Sequence, residues 1–183
     1  MVCRVTTFAF EGVDAQPVDV QVQMTGGQPA FHIVGLPDKA VGESRERVRA
    51  AFASLGLALP PKRVIVNLAP ADLPKEGSHY DLAIALALLA MMGVIPPAQL
   101  AIGELSLDGA LGETLGVLPA AMAAEGMDLQ LICPQICGAE AAWAGGSVIG
   151  ATGLIALINH FTGRAVISPP QPGELATPPA GPD

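Results

Sequence analysis

The chain has 183 residues, 51% of them hydrophobic, 14% charged and 4% aromatic, with a formal net charge of -8. Few charges and a positive mean hydropathy exclude wholesale disorder, and so few aromatics argue against a base-stacking sheet of the RNA-recognition kind. The negative charge argues against nonspecific binding of nucleic acid by the whole surface, and the length suits one domain with a core that needs no disulfide or metal.

Val5 to Phe10 and Val18 to Met24 alternate apolar with polar residues on either side of Gly12-Val13-Asp14, which predicts two strands with Val18, Val20 and Val22 on one face. Phe31 to Val34 predicts a third strand, ended by Gly35-Leu36-Pro37. Asp38 can cap a helix whose apolar positions Val41, Val48, Phe52 and Leu55 follow helical spacing, with Gly56 at its close. After Pro60-Pro61, Val64 to Leu68 reads as a strand buried on both faces. Ser78 and Asp81 resemble a capping box in front of an apolar helix from Leu82 to Met92. Ile102 to Leu107 predicts a strand turned by Asp108-Gly109. Gly116 to Glu125 then reads as a helix, Leu129 to Cys133 as a strand, Ala139 to Ala144 as a short helix, Val148-Ile149 as a last strand and Leu154 to Phe161 as a last helix. Three strands followed by alternating helices and strands predict an α/β fold with a mixed sheet. From Ser168 onward six of sixteen residues are Pro, the composition of a semi-extended linker.

Met1 to Phe10 carries one Arg and no long apolar run, unlike a signal peptide. The apolar stretch after Leu82 falls short of the roughly 20 residues that span a bilayer, so a buried core helix and a soluble, cytoplasmic protein are expected, with no membrane partner. Three cysteines, Cys3, Cys133 and Cys137, are too few and too odd for a disulfide scaffold and fit a reducing compartment. Without a second Cys or His pair, Cys133 and Cys137 do not make a metal site. His32 and His160 sit beside apolar residues as core-edge histidines. No Gly-x-x-x-x-Gly-Lys-Ser/Thr loop is present, so no nucleotide hydrolysis of that kind and no cofactor are expected here.

The charges are unevenly spread. Residues 39–75 hold seven basic side chains, Lys39, Arg45, Arg47, Arg49, Lys62, Arg63 and Lys75, against three acidic ones, whereas residues 76–163 hold eight acidic side chains and no Lys or Arg. The basic window is either a docking face for phosphate or for an acidic subunit, or a solvated helix face with Glu–Arg pairs at helical spacing.

Three segments carry a kinship: Ser44-Arg45-Glu46-Arg47-Val48-Arg49-Ala50-Ala51, the run from Asn67-Leu68-Ala69-Pro70 through Lys75-Glu76-Gly77-Ser78-His79-Tyr80-Asp81 to Leu86, and Ile102-Gly103-Glu104-Leu105-Ser106-Leu107-Asp108-Gly109. Residues 1 to about 163 resemble the N-terminal domain of the magnesium-chelatase-like AAA+ ATPases of bacteria, the ComM/YifB group. The resemblance implies a Lon-protease-like domain with the ribosomal-protein-S5-domain-2-like fold over 1–163. Residues 164–183 would then be a Pro-rich linker toward an AAA+ module, which would use ATP and Mg. It also implies a parent that forms hexameric rings and acts as a helicase in natural transformation and DNA branch migration. A role in pigment synthesis is suggested by the family's name alone.

The Lon likeness raises a peptidase, which needs a hydroxyl nucleophile beside an amine of lowered pKa. Against the protease's Lys-Asp-Gly-Pro-Ser-Ala-Gly stretch, Lys75-Glu76-Gly77-Ser78-His79-Tyr80-Asp81 puts His79 at the nucleophile's position, with Ser78 one residue early. The base lysine falls near Leu118. With both members of the dyad missing, no catalysis is expected. Ser78 reads as a helix cap, and Lys75, just before a helix N-terminus, as a phosphate ligand or a surface lysine paired with Glu76 or Asp72. Two readings therefore stand: a noncatalytic accessory domain whose cations touch single-stranded or branched DNA, and a scaffold whose basic and acidic halves meet between copies in a ring.

Overall fold

The computed structural model describes residues 1–12 and 14–173. Alternating side chains set its first half: β1 (Val2–Glu11) and β2 (Asp14–Thr25) pair antiparallel from Val2 opposite Gln23 to Glu11 opposite Asp14. Val18, Val20 and Val22 are buried on one face, as their period of two requires. β2 pairs antiparallel with β4 (Arg63–Ala69), and β4 pairs parallel with β3 (Ala30–Val34), which forms one edge. Between β3 and β4 run α1 (Lys39–Gly42) and α2 (Ser44–Ser54), where the sequence suggests one helix. Asp38 caps the first, its Oδ1 accepting from the Val41 amide at 2.8 Å.

The second half adds parallel strands by helical crossovers. α3 (Asp81–Met91) leads to β5 (Leu100–Ala101), which pairs parallel with β1. α4 (Val117–Gly126) leads to β8 (Leu131–Pro134). A 3-10 turn at Gln135–Cys137 and α5 (Gly138–Ala142) lead to β9 (Val148–Ala151), and α6 (Leu154–Phe161) follows. The main sheet has seven strands in the order β3-β4-β2-β1-β5-β8-β9, so the expected mixed α/β sheet is present. The strand expected over Ile102 to Leu107 is interrupted. The Gly103 amide donates to His79 O and its carbonyl accepts from the Leu82 amide, which ties this point to the start of α3. The remainder becomes β6 (Glu104–Leu105), which pairs with β7 (Leu111–Gly112) as a separate hairpin that the sequence pattern does not announce.

One face of the sheet, with Cys3, Val5, Ala9, Ala101, Ile132 and Ile149, packs on α2, α3 and α6; the other, with Phe8, Leu100, Leu131 and Cys133, packs on α4 and α5. α3 is buried from Asp81 to Ala90, as an all-round apolar helix must be. β4 corrects an expectation. Val64, Val66 and Leu68 are buried, but Ile65 and Asn67 are half-exposed, because the second helical layer covers the parallel half of the sheet and stops short of β4. His32 is exposed on the edge strand rather than at the core's margin, whereas His160 is half-buried and its Nδ1 accepts from the Ile167 amide at 2.9 Å. Farther on, the Gly173 amide donates to Ala139 O at 3.3 Å. Residues 174–183 of the Pro-rich segment, and Val13 of the first turn, lie outside the described residues. Among those described, no helix is long and apolar enough to cross a membrane.

α2, α3 and β6 meet at one buried carboxylate. Asp81 has no exposed surface, and Arg47 grips it with Nε to Oδ2 at 2.6 Å and Nη2 to Oδ1 at 3.0 Å. Ser44 Oγ donates to Oδ1 at 2.5 Å and the Leu105 amide to Oδ2 at 3.0 Å. Two oxygens thus accept four hydrogen bonds, which makes the buried charge tolerable. Asp81→Ala is expected to cost about 3–5 kcal/mol in urea unfolding, since it strands Arg47. Arg47→Met with Asp81→Leu should cost less than the sum of the two single changes; strict additivity would show that the pair is not coupled.

Candidate functional site

The fold splits the basic window in two. Arg47 is committed to Asp81, and its Nη2 also donates to Ala40 O at 2.9 Å. The hydrogen bond to Asp81 pushes the guanidinium's pKa up, while burial pushes the Asp81 carboxyl up against the restraint of its bonds to Arg47 and Ser44. Lys75 has no exposed surface; its Nζ donates to Gly35 O at 2.7 Å and to Pro70 O. Burial pushes its pKa down. Neither the phosphate ligand nor the surface lysine expected at this position exists, and the amine cannot serve as a base at Ser78 while two carbonyls hold it. The turn that supplies one of them needs glycine: Gly35 has φ +107, and a Cβ there would collide with Leu68 O.

The other five cations, Lys39, Arg45, Arg49, Lys62 and Arg63, are exposed. Four of them gather on the β3 edge. Arg45 Nη1 donates to Phe31 O at 3.4 Å, and the Arg49 guanidinium lies 5.4 Å from the centre of the Phe31 ring. Lys62 O accepts from the Ala30 amide, and Arg63 is the register partner of Ala30. Lys39 shares a groove of about 340 Å³ with Ile33 and Arg45. Glu46 neutralises part of this edge, 3.1 Å from Arg45 Nε.

A cavity of about 870 Å³ opens elsewhere, between the end of β1, the approach to α3 and the loop before α4. Ser78 and His79 line it, but they do not form a pair. Ser78 is not the helix cap that the sequence suggests: α3 begins at Asp81, the Ser78 Oγ donates to Glu104 Oε2 at 2.8 Å, and the expected capping partner Asp81 turns inward to Arg47. His79 is 9% exposed, with Nε2 2.5 Å from Phe8 O. A carbonyl only accepts, so Nε2 carries the proton and Nδ1 is left as an acceptor. Burial pushes the His79 pKa down and the bond to Phe8 opposes this. Leu118 is half-buried on α4 and outside the lining, with Gly116 and Pro119 on either side of it in the wall.

Five carboxylates, Glu11, Asp38, Glu76, Glu104 and Glu113, share that lining, and no Lys or Arg does. In the sequence Glu76, Glu104 and Glu113 register only within the acidic stretch and Asp38 as a helix cap, and their convergence with Glu11 is hidden. Glu11 and Glu113 are far apart in the chain, and the fold brings the end of β1 beside the loop before α4, where a Cβ on Gly116 would meet the Phe10 ring. The donor set does not fit ATP, because five carboxylates repel a polyphosphate. Among the described residues, no three His, Cys, Asp or Glu side chains are placed to hold a metal ion. Cys3, Cys133 and Cys137 are free and buried, and burial pushes the Cys133 thiol up to about 12, which leaves it unreactive.

Against known proteins, the family model for subunit ChlI of Mg-chelatase matches residues 20–136. The chain is 43% identical over 128 residues to the competence protein ComM of Haemophilus influenzae, a match that covers 68% of this chain and 25% of that protein. It is 46% identical over 121 residues to the uncharacterized protein YifB of Escherichia coli, covering 64% of this chain and 24% of the relative. An uncharacterized protein of Mycobacterium tuberculosis is 44% identical over 126 residues, covering 67% and 25%. The chain thus spans about a quarter of the length of these curated relatives.

The buried imidazole makes stability depend on pH. Its folded pKa lies below the ordinary 6.5, so the unfolded chain takes up the proton first. The stabilisation is complete above pH 6.5 and is lost as pH falls from there toward the folded pKa. Thermal melts at pH 7.5 and 5.5 should show a smaller acid loss of Tm in His79→Gln than in the parent; equal losses would show that His79 is not desolvated.

Proposed function

Because the chain belongs to the family of subunit ChlI of Mg-chelatase, and within it to the ComM/YifB group, we propose that it is a noncatalytic accessory domain of a longer ATPase that guides DNA by its phosphates. The observation that carries this reading is the gathering of Arg45, Arg49, Lys62 and Arg63 on the β3 edge, with Lys39 in the adjoining groove, while Arg47 and Lys75 are withdrawn into the fold. Cations held on a sheet edge contact phosphate without reading sequence. The fold is taken as ribosomal-protein-S5-domain-2-like and Lon-like, and the mixed seven-stranded sheet supports this. On this reading ATP and Mg belong to the motor of the parent protein. A role of the parent in natural transformation agrees with the name of the H. influenzae relative, a competence protein; ring formation, branch migration and a cytoplasmic location belong to the same proposal.

A second reading has its own observation. β3 and β9 are opposite edges of the main sheet, and Glu140 on α5 and Glu125 on α4 lie near the β9 side, with Glu125 packed against Gly146. A basic edge and an acidic edge suit head-to-tail contact between copies in a ring. A Lon-type peptidase has the least support: Ser78 is bonded to Glu104, Lys75 is sequestered, and no amine lines the cleft.

Fluorescence anisotropy with single-stranded and branched DNA, from low to physiological salt, tests the first reading. Affinity should fall log-linearly with salt. Lys62→Glu with Arg63→Glu should weaken binding and flatten the slope by about 1 for each phosphate that is no longer neutralised. Binding with an unchanged slope would remove Lys62 and Arg63 from the interface. No binding even at low salt would favour assembly between copies.

A further inference from the structure

We infer that residues 168–173 are a strap that closes the β9 edge of the main sheet and leaves β3 as the edge open to strand addition. β9 is the last strand of that sheet, and an edge strand presents a row of peptide groups to any strand that approaches it. The Leu131 amide donates to Ser147 O, so by the alternation of a parallel ladder the peptide groups of Ser147, Ile149 and Ala151 face β8. Those of Val148 and Gly150 face away from it, and no backbone group among the described residues bonds them. All four residues of β9 are nevertheless buried. The cover is not a strand.

It is the start of the Pro-rich segment. α6 packs on one face of the sheet and α5 on the other, and the chain after α6 passes between them on the β9 side. One tie holds it beside α6, where the Ile167 amide donates to His160 Nδ1 at 2.9 Å. The other lies on α5, where the Gly173 amide donates to Ala139 O at 3.3 Å. Between the two, Pro170 rests on Gly138. A Cβ built there would stand 3.0 Å from Pro170 Cβ and 3.9 Å from Gly150 Cα, so the proline and the β9 backbone meet at one point. Gly138 has an ordinary helical φ of -61, which any residue adopts; its bareness serves this close approach. The strap ends by Trp143, whose Nε1 would be 3.8 Å from a Cβ on Gly173.

The composition suits a cover. Pro169, Pro170 and Pro172 have no N–H, so the strap lies beside β9 without offering a new row of donors to a further strand. The opposite edge differs: at β3, Val34 is 45% exposed, and the Phe31 carbonyl accepts from the side chain of Arg45 alone among the described residues. A strand from a partner therefore has one edge on which to add. A copy that approaches the β9 side meets the exposed Glu125 and Glu140 instead of free backbone, and lifting the strap opens a second edge through which copies pair. The inference does not rest on the DNA reading, which concerns the cations at β3.

The test uses the full chain, in which Trp143 is the sole tryptophan. Nuclear Overhauser contacts should run from the Pro170 ring to Gly138 and from Gly173 to the indole of Trp143. Pro170→Gly with Gly173→Pro removes the ring from Gly138 and the amide from Ala139 O, and the contacts to the indole should vanish. In sedimentation velocity this double variant should associate at a concentration at least tenfold below any at which the parent does. The Val148 and Gly150 amides should exchange at least tenfold more slowly in its associated form than in its monomer, since pairing bonds them. The proposal is overturned if the parent lacks the contacts, or if the strap stays on Trp143 with both supports removed. It is equally overturned if the released variant sediments like the parent, or if it associates with Val148 and Gly150 still unprotected.

Discussion

The carboxylate of Asp81 is the point on which the rest of the fold depends. It opens the most buried helix of the molecule, where an unpaired charge would be prohibitive, and it is held by Arg47, Ser44 and the Leu105 amide. Those partners come from α2 and from β6, so one side chain fixes the distance and rotation of three segments. Arg47 also donates to Ala40 O, which extends the tie to the short α1. A buried pair of this kind adds little net stability compared with apolar residues of the same size. Its effect is to make one arrangement of the segments much better than any other.

With α3 set in this way, the residues just before it have little freedom. His79 goes under β1 to reach Phe8 O, Ser78 reaches Glu104, and the Gly103 carbonyl receives the amide of Leu82. Glu76 to His79 thus become a wall of the cleft, with Ser78 and His79 engaged by Glu104 and Phe8. Lys75 closes the other end of that segment against Gly35 and Pro70. The two internal cations serve the frame, while the remaining cations of the basic window lie on and beside the β3 edge and the cleft is left wholly acidic. Positive and negative surfaces are therefore separate features of one molecule.

The order and type of most elements are legible in the sequence because period-two runs such as Val18-Val20-Val22 and the capping Asp38 act locally. Ser44, Arg47 and Asp81, which stand in the segments that carry the kinship, bind one another across more than thirty residues of chain. What the sequence hides is the partner of each charged group. Nothing near Lys75 in the chain shows that Gly35, forty residues earlier, offers a carbonyl to it, so a buried amine reads as a surface lysine. The same holds for Ser78, whose neighbour Asp81 suggests a local cap although its charge is already claimed by Arg47. The half-exposed face of β4 escapes the sequence because an apolar run shows that a strand is buried, and only the reach of α4 and α5 shows on how many faces.

That burial divides the cations into those that hold the fold and those that face solvent can be read from the three lysines of the chain. Acetylation of the native protein with an amine-reactive ester, followed by peptide mass spectrometry over time, compares Lys39, Lys62 and Lys75 directly. Lys39 and Lys62 should be modified at the rate of exposed amines, and Lys75 should stay protected until denaturant unfolds the chain. Modification of Lys75 at the same rate as the other two would contradict the division.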